Sequence, residues 1–484
     1  MDGYLLFGNE VAILHPFGHT QFYRHGFHSW SLTSWIPLDV RLPRPGIGRL
    51  WPQVDHPSLM ADYPFAGSGV GALQGSDGKI LLLGALELDA VVTGDRWTLI
   101  GMIEPASCEA VPSEFEPEKP SPAWLLTYGE EDEVFGHYAV RLADLRGSFK
   151  QPVSPRVWCS WYSYYTRITQ DELIGVLKSL SGLPFDVFQV DDGWQICIGD
   201  WEANEKFPNG MARLGKEVSD CGLKPGLWLA PFIVQPSSSL LQSHPEWLLR
   251  DAKGDMVIAG YNWGNVFYAL DTTHPAVLEW LVDLIKKVCS WGYKYLKLDF
   301  LYAAALPGVR HRGVPGEQAY RQGLSTLREA AGDAYLLVCG SPVLASLGLA
   351  DGMRIGPDVA PYWDSVDRSI YLHDLSGPST LNAIRTTIHR LWLKPLVHTD
   401  PDVAFFRSRE NLLSSHQKQL LQDLAQIAGY RATSDPPNWL DSKEREVMIS
   451  FFKGNPLIKK LSRYQYIFED RKPDFSFLEN AWSV

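Results

Sequence analysis

Asp299 closes the stretch Trp291-Gly-Tyr-Lys-Tyr-Leu-Lys-Leu-Asp299-Phe-Leu-Tyr302, and Lys297 stands two places before it. Alternate side chains of an extended chain share a face, so Lys297 and Asp299 point one way while Leu296 and Leu298 point the other. A strand that ends on a carboxylate just ahead of a loop is where α/β barrels place their chemistry. The plainer alternative is an aspartate that caps the next helix or pairs with Lys297. Similar strand ends carry Trp161, the pair Asp191 and Asp192, Trp228, Cys339, Arg354 with Asp358 just beyond, and Asp400. No His-x-His, His-Glu-x-x-His, Gly-x-Ser-x-Gly or Walker A motif occurs, which argues against a metal site, a serine-hydrolase elbow and a nucleotide loop. No cofactor is implied. Carboxylates set among aromatics, with one Lys and one Arg, fit glycoside hydrolysis by two acids.

The elements that must position these residues follow from the periodicity. Residues 1–150 read as a β-sandwich: short apolar runs such as Lys79 to Leu88 and Ala123 to Tyr128 are separated by Gly, Pro and Asp turns. No helical periodicity appears before about Glu133, and the Glu-, Pro- and Ser-rich tract from Cys108 to Pro122 reads as a loop. From Pro155 the rhythm changes to strand, loop, helix. Strands are expected at 156–161, 186–191, 224–230, 293–299, 335–339, 351–355, 395–399 and 430–434. Helices are expected between them at 170–180, 277–289, 317–331, 381–393 and 410–428, with a last one at 442–453. This alternation predicts a (β/α)8 TIM barrel over residues 151–454, whose largest insertion runs from Pro231 to Thr273. Residues 455–484 are a short C-terminal segment.

The bulk numbers narrow the class of partner. The formal charge is -12, from 44 Lys and Arg against 56 Asp and Glu, with no basic run. Nucleic acid and anionic membranes are therefore poor partners. Eighteen tryptophans are many for 484 residues, and indole faces stack on sugar rings as well as filling cores. The six cysteines (108, 159, 197, 221, 289 and 339) have no regular spacing, which reads as reduced thiols instead of a disulfide frame. No stretch is long enough to span a membrane, and the first residues carry Asp and Glu without a basic region, so a cytoplasmic protein is expected.

Four motifs together carry a resemblance. Tyr295-Leu-Lys-Leu-Asp-Phe-Leu-Tyr302, Gly352-Met-Arg-Ile-Gly-Pro-Asp358, Phe185-Asp-Val-Phe-Gln-Val-Asp-Asp192 and Thr399-Asp-Pro-Asp402 resemble the α-galactosidases (melibiases) of glycoside hydrolase family 36, the compact bacterial type above all. The resemblance covers the barrel from about Pro155 to Lys453 in order, and the N-terminal domain more loosely. Family members usually add a C-terminal β-domain, whereas this sequence stops about thirty residues after the barrel.

The resemblance implies a retaining exo-α-galactosidase acting on small oligosaccharides, with Asp299 as nucleophile and Asp358 as general acid/base. Asp191 and Asp192 would hold the 4- and 6-hydroxyls of galactose, and Lys297 would reach the 3- and 4-hydroxyls. Arg354 and Cys339 would sit by the 2-hydroxyl, with Trp228 and Trp161 lining the pocket and Trp30 or Trp35 reaching across it. A galactosyl transferase or an α-N-acetylgalactosaminidase would use the same two carboxylates, and a non-catalytic sugar-binding homologue would keep only the pocket. Physically, Lys297 would favour an ionised Asp299, while Asp358 needs desolvation or nearby negative charge to hold a proton. A tight Arg354–Asp358 pair would oppose that, so Arg354 is expected to clamp substrate instead. Cys339 also reads as a small buried thiol, and Asp400 and Asp402 as loop caps.

Overall fold

The run Ile80-Leu-Leu-Leu-Gly-Ala85 is unbroken apolar because its strand is buried on both faces. Leu81, Leu83 and Ala85 join one core with Phe22, Leu99 and Trp124, while Ile80 and Leu82 face a second core shared with the barrel. This strand lies within a six-stranded antiparallel sheet that packs on a four-stranded one, and together they form the expected N-terminal β layers. The computed structural model describes residues 3–15, 18–42, 44–45, 51–103, 121–147, 153–364, 375–479 and 482. Most of the Cys108 to Pro122 tract, Cys108 included, lies outside the described residues.

The β reading of the first 150 residues gives way at Glu131. A helix, Glu131–Arg146, buries Val134, Phe135, Tyr138, Ala139 and Leu142 against the sheet. Tyr138 fixes it there, donating its hydroxyl to Ala85 O at 2.8 Å.

Eight parallel strands follow: β1 (Arg156–Cys159), β2 (Val187–Val190), β3 (Lys224–Leu229), β4 (Tyr295–Leu298), β5 (Tyr335–Val338), β6 (Gly352–Arg354), β7 (His398–Asp400) and β8 (Arg431–Thr433). They pair in chain order from β1 to β7, and β8 pairs back on β1, so the barrel is nearly closed. Strand alternation divides the side chains. Trp158, Phe188, Leu227, Leu296 and Leu336 enter the core beneath the helices, whereas Val157, Val187, Tyr295, Tyr335 and Leu337 belong to a separate cluster. In that cluster the Tyr295 and Tyr335 rings stack at 5.1 Å, and the Tyr295 and Tyr430 hydroxyls bond at 2.6 Å. Lys297 and Asp299 lie two and four residues beyond Tyr295 on the same face, and so arrive at the barrel mouth.

Several boundaries differ from the sequence expectation for local reasons. The helix expected from Glu410 begins at Ser415, because Ser414 and Gln417 form a reciprocal capping box. The stretch 381–393 divides into Thr380–Ile388 and a single turn, Leu391–Leu393. A helix absent from the expectation, Gly210–Asp220, buries Met211, Leu214 and Val218; its two glycines and polar residues dilute that signal. The insertion after β3 contributes a small sheet in which Ile258–Asn262 and Asn265–Ala269 form a hairpin. The C-terminal segment lies over both halves of the chain: Phe475 and Leu478 pack into the barrel-side cluster, and Trp482 donates to Trp35 O at 3.1 Å.

Arg390 joins the N-terminal layers to the barrel. Fully buried, it donates to the carbonyl oxygens of Ser29 (2.6 Å), Gly26 (2.9 Å), His28 (3.0 Å), Ile355 (3.2 Å) and Ser31 (3.3 Å). The segment held this way carries Trp30. Replacing the guanidinium with an apolar chain strands several buried acceptors at about 1–3 kcal/mol each. Arg390→Met is therefore expected to cost at least about 3 kcal/mol in urea unfolding. A loss below about 0.5 kcal/mol would mean that other contacts hold the domains together.

Candidate active site

A cleft of about 510 Å³ opens at the C-terminal ends of the barrel strands, within the range of small-ligand sites. Asp299, Asp358, Asp191, Asp192, Lys297, Trp228 and Trp161 all line it, together with Trp30, Phe300 and Trp263. Cys339 and Arg354 do not reach its wall; they are buried behind it. Trp35 is buried in the N-terminal core, where its indole N–H donates to Glu131 Oε1 at 3.0 Å. Of the two tryptophans left open by the sequence, Trp30 is the one at the cleft.

Asp299 stands one residue past β4. Its backbone N–H donates to Leu229 O on β3 at 2.8 Å. One carboxylate oxygen accepts the indole N–H of Trp228 (3.0 Å) and the other the amide of Phe300 (2.8 Å). Phe300 takes a left-handed φ of 54°, so the chain turns sharply after Asp299. The Phe300 ring then packs 5.0 Å from Trp30 and 5.3 Å from Trp263. Trp30 leans in turn on Gly340 (φ 51°), where an added Cβ would fall 2.9 Å from the indole.

Lys297 makes its ion pair across the barrel instead of with Asp299. Its ammonium lies 2.9 Å from Asp191 Oδ2, which also accepts Gln189 Nε2 at 2.6 Å. Burial opposes the Lys297 charge, but Asp191 and Asp299 outweigh it and hold the ammonium well above the ordinary lysine range. Asp192 accepts Gln195 Nε2 (2.6 Å) and the indole N–H of Trp263 (2.7 Å). Burial raises its carboxyl above the usual range, and those two donors work against the rise.

Arg354 sits at the centre of a second charge cluster. It reaches Asp358 Oδ1 at 3.0 Å, Asp402 Oδ1 at 2.8 Å and Asp400 Oδ2 at 3.2 Å. The pairing with Asp358 differs from the expected substrate clamp. Asp358 is nonetheless raised, because desolvation outweighs Arg354 and Lys297, and Asp299 adds to the rise. Its side chain keeps 32 % of its surface and lines the cleft. Asp400 and Asp402 do cap their loop, accepting the amides of Asp402 and Val403 at 2.8 Å each, and they also hold Arg354. Cys339 is buried beside this cluster, and desolvation followed by Asp299 pushes its thiol well up. Among the described residues no group of three or more His, Cys, Asp or Glu is set to hold a metal ion.

Sequence reasoning missed Gln189, Gln195, Phe300 and the role of Trp263. For Trp263 a local signal existed. Asn262-Trp-Gly-Asn265 is a two-residue hairpin turn with left-handed φ at both Trp263 (51°) and Gly264 (74°). A bulky residue is unfavourable there, and this one bonds Asp192.

An eight-stranded barrel whose mouth gathers carboxylates and aromatics around a sugar-sized cleft is the architecture of a glycoside hydrolase. The Melibiase family profile matches residues 126–326. An α-galactosidase from Thermus thermophilus, solved with p-nitrophenyl α-D-galactopyranoside, is 47% identical, with a TM-score of 0.91 over 99% of this chain and 95% of that one. A structure of the same enzyme with stachyose is 49% identical, with a TM-score of 0.85 over 92% and 93% of the two chains. The chain belongs to the melibiases, the α-galactosidase family 36 of glycoside hydrolases. α-Galactosidase AgaA from Geobacillus stearothermophilus is 29% identical over 206 residues, 40% of this chain and only 27% of that protein.

Asp192 depends on Trp263 for one of its two side-chain donors. A hydrogen bond to a charged group contributes about 1.5–3 kcal/mol. Trp263→Phe keeps the aromatic face but loses the N–H, and should lower kcat/KM on an α-galactoside by roughly 10- to 100-fold with folding intact. A change within about twofold would show that Gln195 alone orients Asp192.

Proposed function

We propose that this protein is a retaining exo-α-galactosidase that removes terminal α-linked galactose from small oligosaccharides. One observation carries the reading: Asp299 and Asp358 share one cleft, the first oriented by two N–H donors and the second raised by burial. Asp299 attacks the anomeric carbon while Asp358 gives its proton to the departing glycosidic oxygen. The C–O bond breaks and a β-galactosyl ester forms on Asp299. Asp358, now a carboxylate, takes a proton from water, whose oxygen displaces Asp299 and releases α-galactose. Asp191, Asp192 and Lys297 hold the 3-, 4- and 6-hydroxyls, Trp228 and Trp161 face the ring, and Arg354 and Cys339 back the 2-hydroxyl side. The galactosides bound by the Thermus enzyme support this choice of sugar. The unbridged thiols of Cys159, Cys197, Cys221, Cys289 and Cys339 accord with a cytoplasmic setting.

The retaining route has a direct test. Asp299→Ala should lower kcat by several orders of magnitude in a folded protein, and azide should restore turnover as β-galactosyl azide. The wild type should release α-galactose first, seen by NMR before mutarotation. β-Galactose as the first product, or near-normal turnover in the variant, would remove Asp299 as nucleophile.

Sugar selectivity tests the aspartate pair. Galactose and glucose differ in the axial 4-hydroxyl, and a glucoside would deprive Asp191, Asp192 and Lys297 of that hydroxyl, leaving them only their protein partners. Sites built to hydrogen-bond a hydroxyl reject analogues lacking it by up to ~10⁴–10⁵-fold; an epimer only moves the group, so on the order of 10³-fold in kcat/KM is expected. Asp192→Asn should reduce galactoside turnover far more than glucoside turnover. Equal losses on both would make the pair structural.

A further inference from the structure

The carboxylate cluster behind the cleft contains a residue that the reaction itself leaves without a role. Asp402 follows β7 with a left-handed φ of 80° and is 1% exposed. Four donors converge on it. Arg354 Nη2 and the Val403 amide reach Oδ1 at 2.8 Å each, the Val359 amide reaches Oδ2 at 3.0 Å, and the Tyr162 hydroxyl donates to Oδ2. Loop capping accounts for the Val403 bond alone. Val359 adjoins Asp358, and Tyr162 comes from the turn after β1, so Asp402 ties two other elements to the acid's own loop.

The geometry divides one guanidinium among three carboxylates. Arg354 gives Nη1 to Asp358, Nε to Asp400 and Nη2 to Asp402. A cation placed on Asp358 alone would hold it ionised, which a general acid cannot tolerate. We propose that Asp402, bonded by Tyr162, is a positioning residue that draws Arg354 away from Asp358 and so leaves Asp358 able to act as the acid. The proposal rests on the reading of the cleft given above.

The electrostatic surroundings favour the same division. Burial, then the neighbouring Asp358 and Asp400, push Asp402 up to about 7 although Arg354 pulls it down. Burial works against the Arg354 charge, yet Asp402 and Asp400 lift the guanidinium well above its ordinary range, and Cys339 and Tyr162 add to this. From the cleft side Asp358 also faces Lys297 on β4, with Asp299 beyond it and Asp191 beyond β2. Tyr165, in the turn after β1, faces both Asp358 and Asp402 together with Arg407.

kcat/KM falls as pH rises through the value at which the free enzyme's acid loses its proton. Asp402→Asn removes a negative charge that competes for Arg354, so Arg354 stabilises ionised Asp358 more strongly. The alkaline limb of kcat/KM should move to lower pH by about one unit. Just above the wild-type limb, stachyose turnover should fall roughly tenfold, since its alcohol leaving group needs the proton. p-Nitrophenyl α-D-galactopyranoside, with a leaving group that needs little protonation, should fall less than about threefold.

Both substrates are measured across pH on wild type, Asp402→Asn and Tyr162→Phe, with thermal melts to confirm folding. Tyr162→Phe deprives Asp402 of one donor and should shift the limb the same way by a smaller amount; it decides the matter if Asp402→Asn does not fold. An unmoved limb with equal losses on the two substrates, or a limb displaced to higher pH, overturns the proposal. A wild type that cleaves neither galactoside would instead refute the hydrolase reading.

Discussion

Five buried or half-buried aspartates share two cations at the mouth of this barrel while a sixth, Asp192, takes neutral donors, and the rest of the site is built around that shortage. Lys297 serves Asp191 directly and Asp299 at longer range, while Arg354 serves Asp358, Asp400 and Asp402. Taking a carboxylate out of water costs several kcal/mol unless it is paired or hydrogen-bonded. The balance comes from neutral donors: the indoles of Trp228 and Trp263, the amides of Gln189 and Gln195, the Tyr162 hydroxyl and several backbone N–H groups. A third or fourth cation would have satisfied the same oxygens more strongly. Under the proposed function, it would also have occupied positions that a sugar hydroxyl takes. Neutral donors orient a carboxylate without adding charge to the cleft.

This arrangement explains why parts outside the barrel are needed. Trp263 arrives on a hairpin inserted after β3, and Trp30 on a segment of the N-terminal layers that Arg390 pins through backbone carbonyls. Both rings pack on Phe300, the residue that turns the chain behind Asp299. The orientation of Asp299 thus depends on packing from three separate stretches of chain. Aromatic residues perform two tasks here: their faces wall the cleft, and their N–H edges bind acids.

How far the sequence exposed all this depended on the range of each interaction. Strand periodicity is local, and it placed Asp191, Asp192, Lys297, Asp299 and Asp358 at one end of one barrel. Partner choice is not local. Lys297 lies two residues from Asp299, yet its close contact is Asp191, brought near by barrel closure. Arg354 reads as a substrate clamp until β7 brings Asp400 and Asp402 beside it. The helix Gly210–Asp220 escaped because glycines and charged residues diluted its three buried apolar positions. Trp30 and Trp35 differ in nothing that a short window could detect; Trp35 is paired within the strand Ser34–Pro37, whereas Trp30 lies in the turn before it.

As the acid/base of the proposed mechanism, Asp358 would need an intermediate environment. A double displacement asks one carboxyl to give a proton in the first half and to take one in the second. Burial alone would keep it protonated and stall the second half. An undivided pairing with Arg354 would keep it ionised and stall the first. Here desolvation raises it and Arg354 and Lys297 lower it, with Asp299 adding to the rise while that neighbour is charged. In the retaining route proposed above, esterification of Asp299 would remove that contribution, and the balance would move towards the ionised base when a base is needed. On that proposal, the chemistry of the first step would reset the group that performs the second.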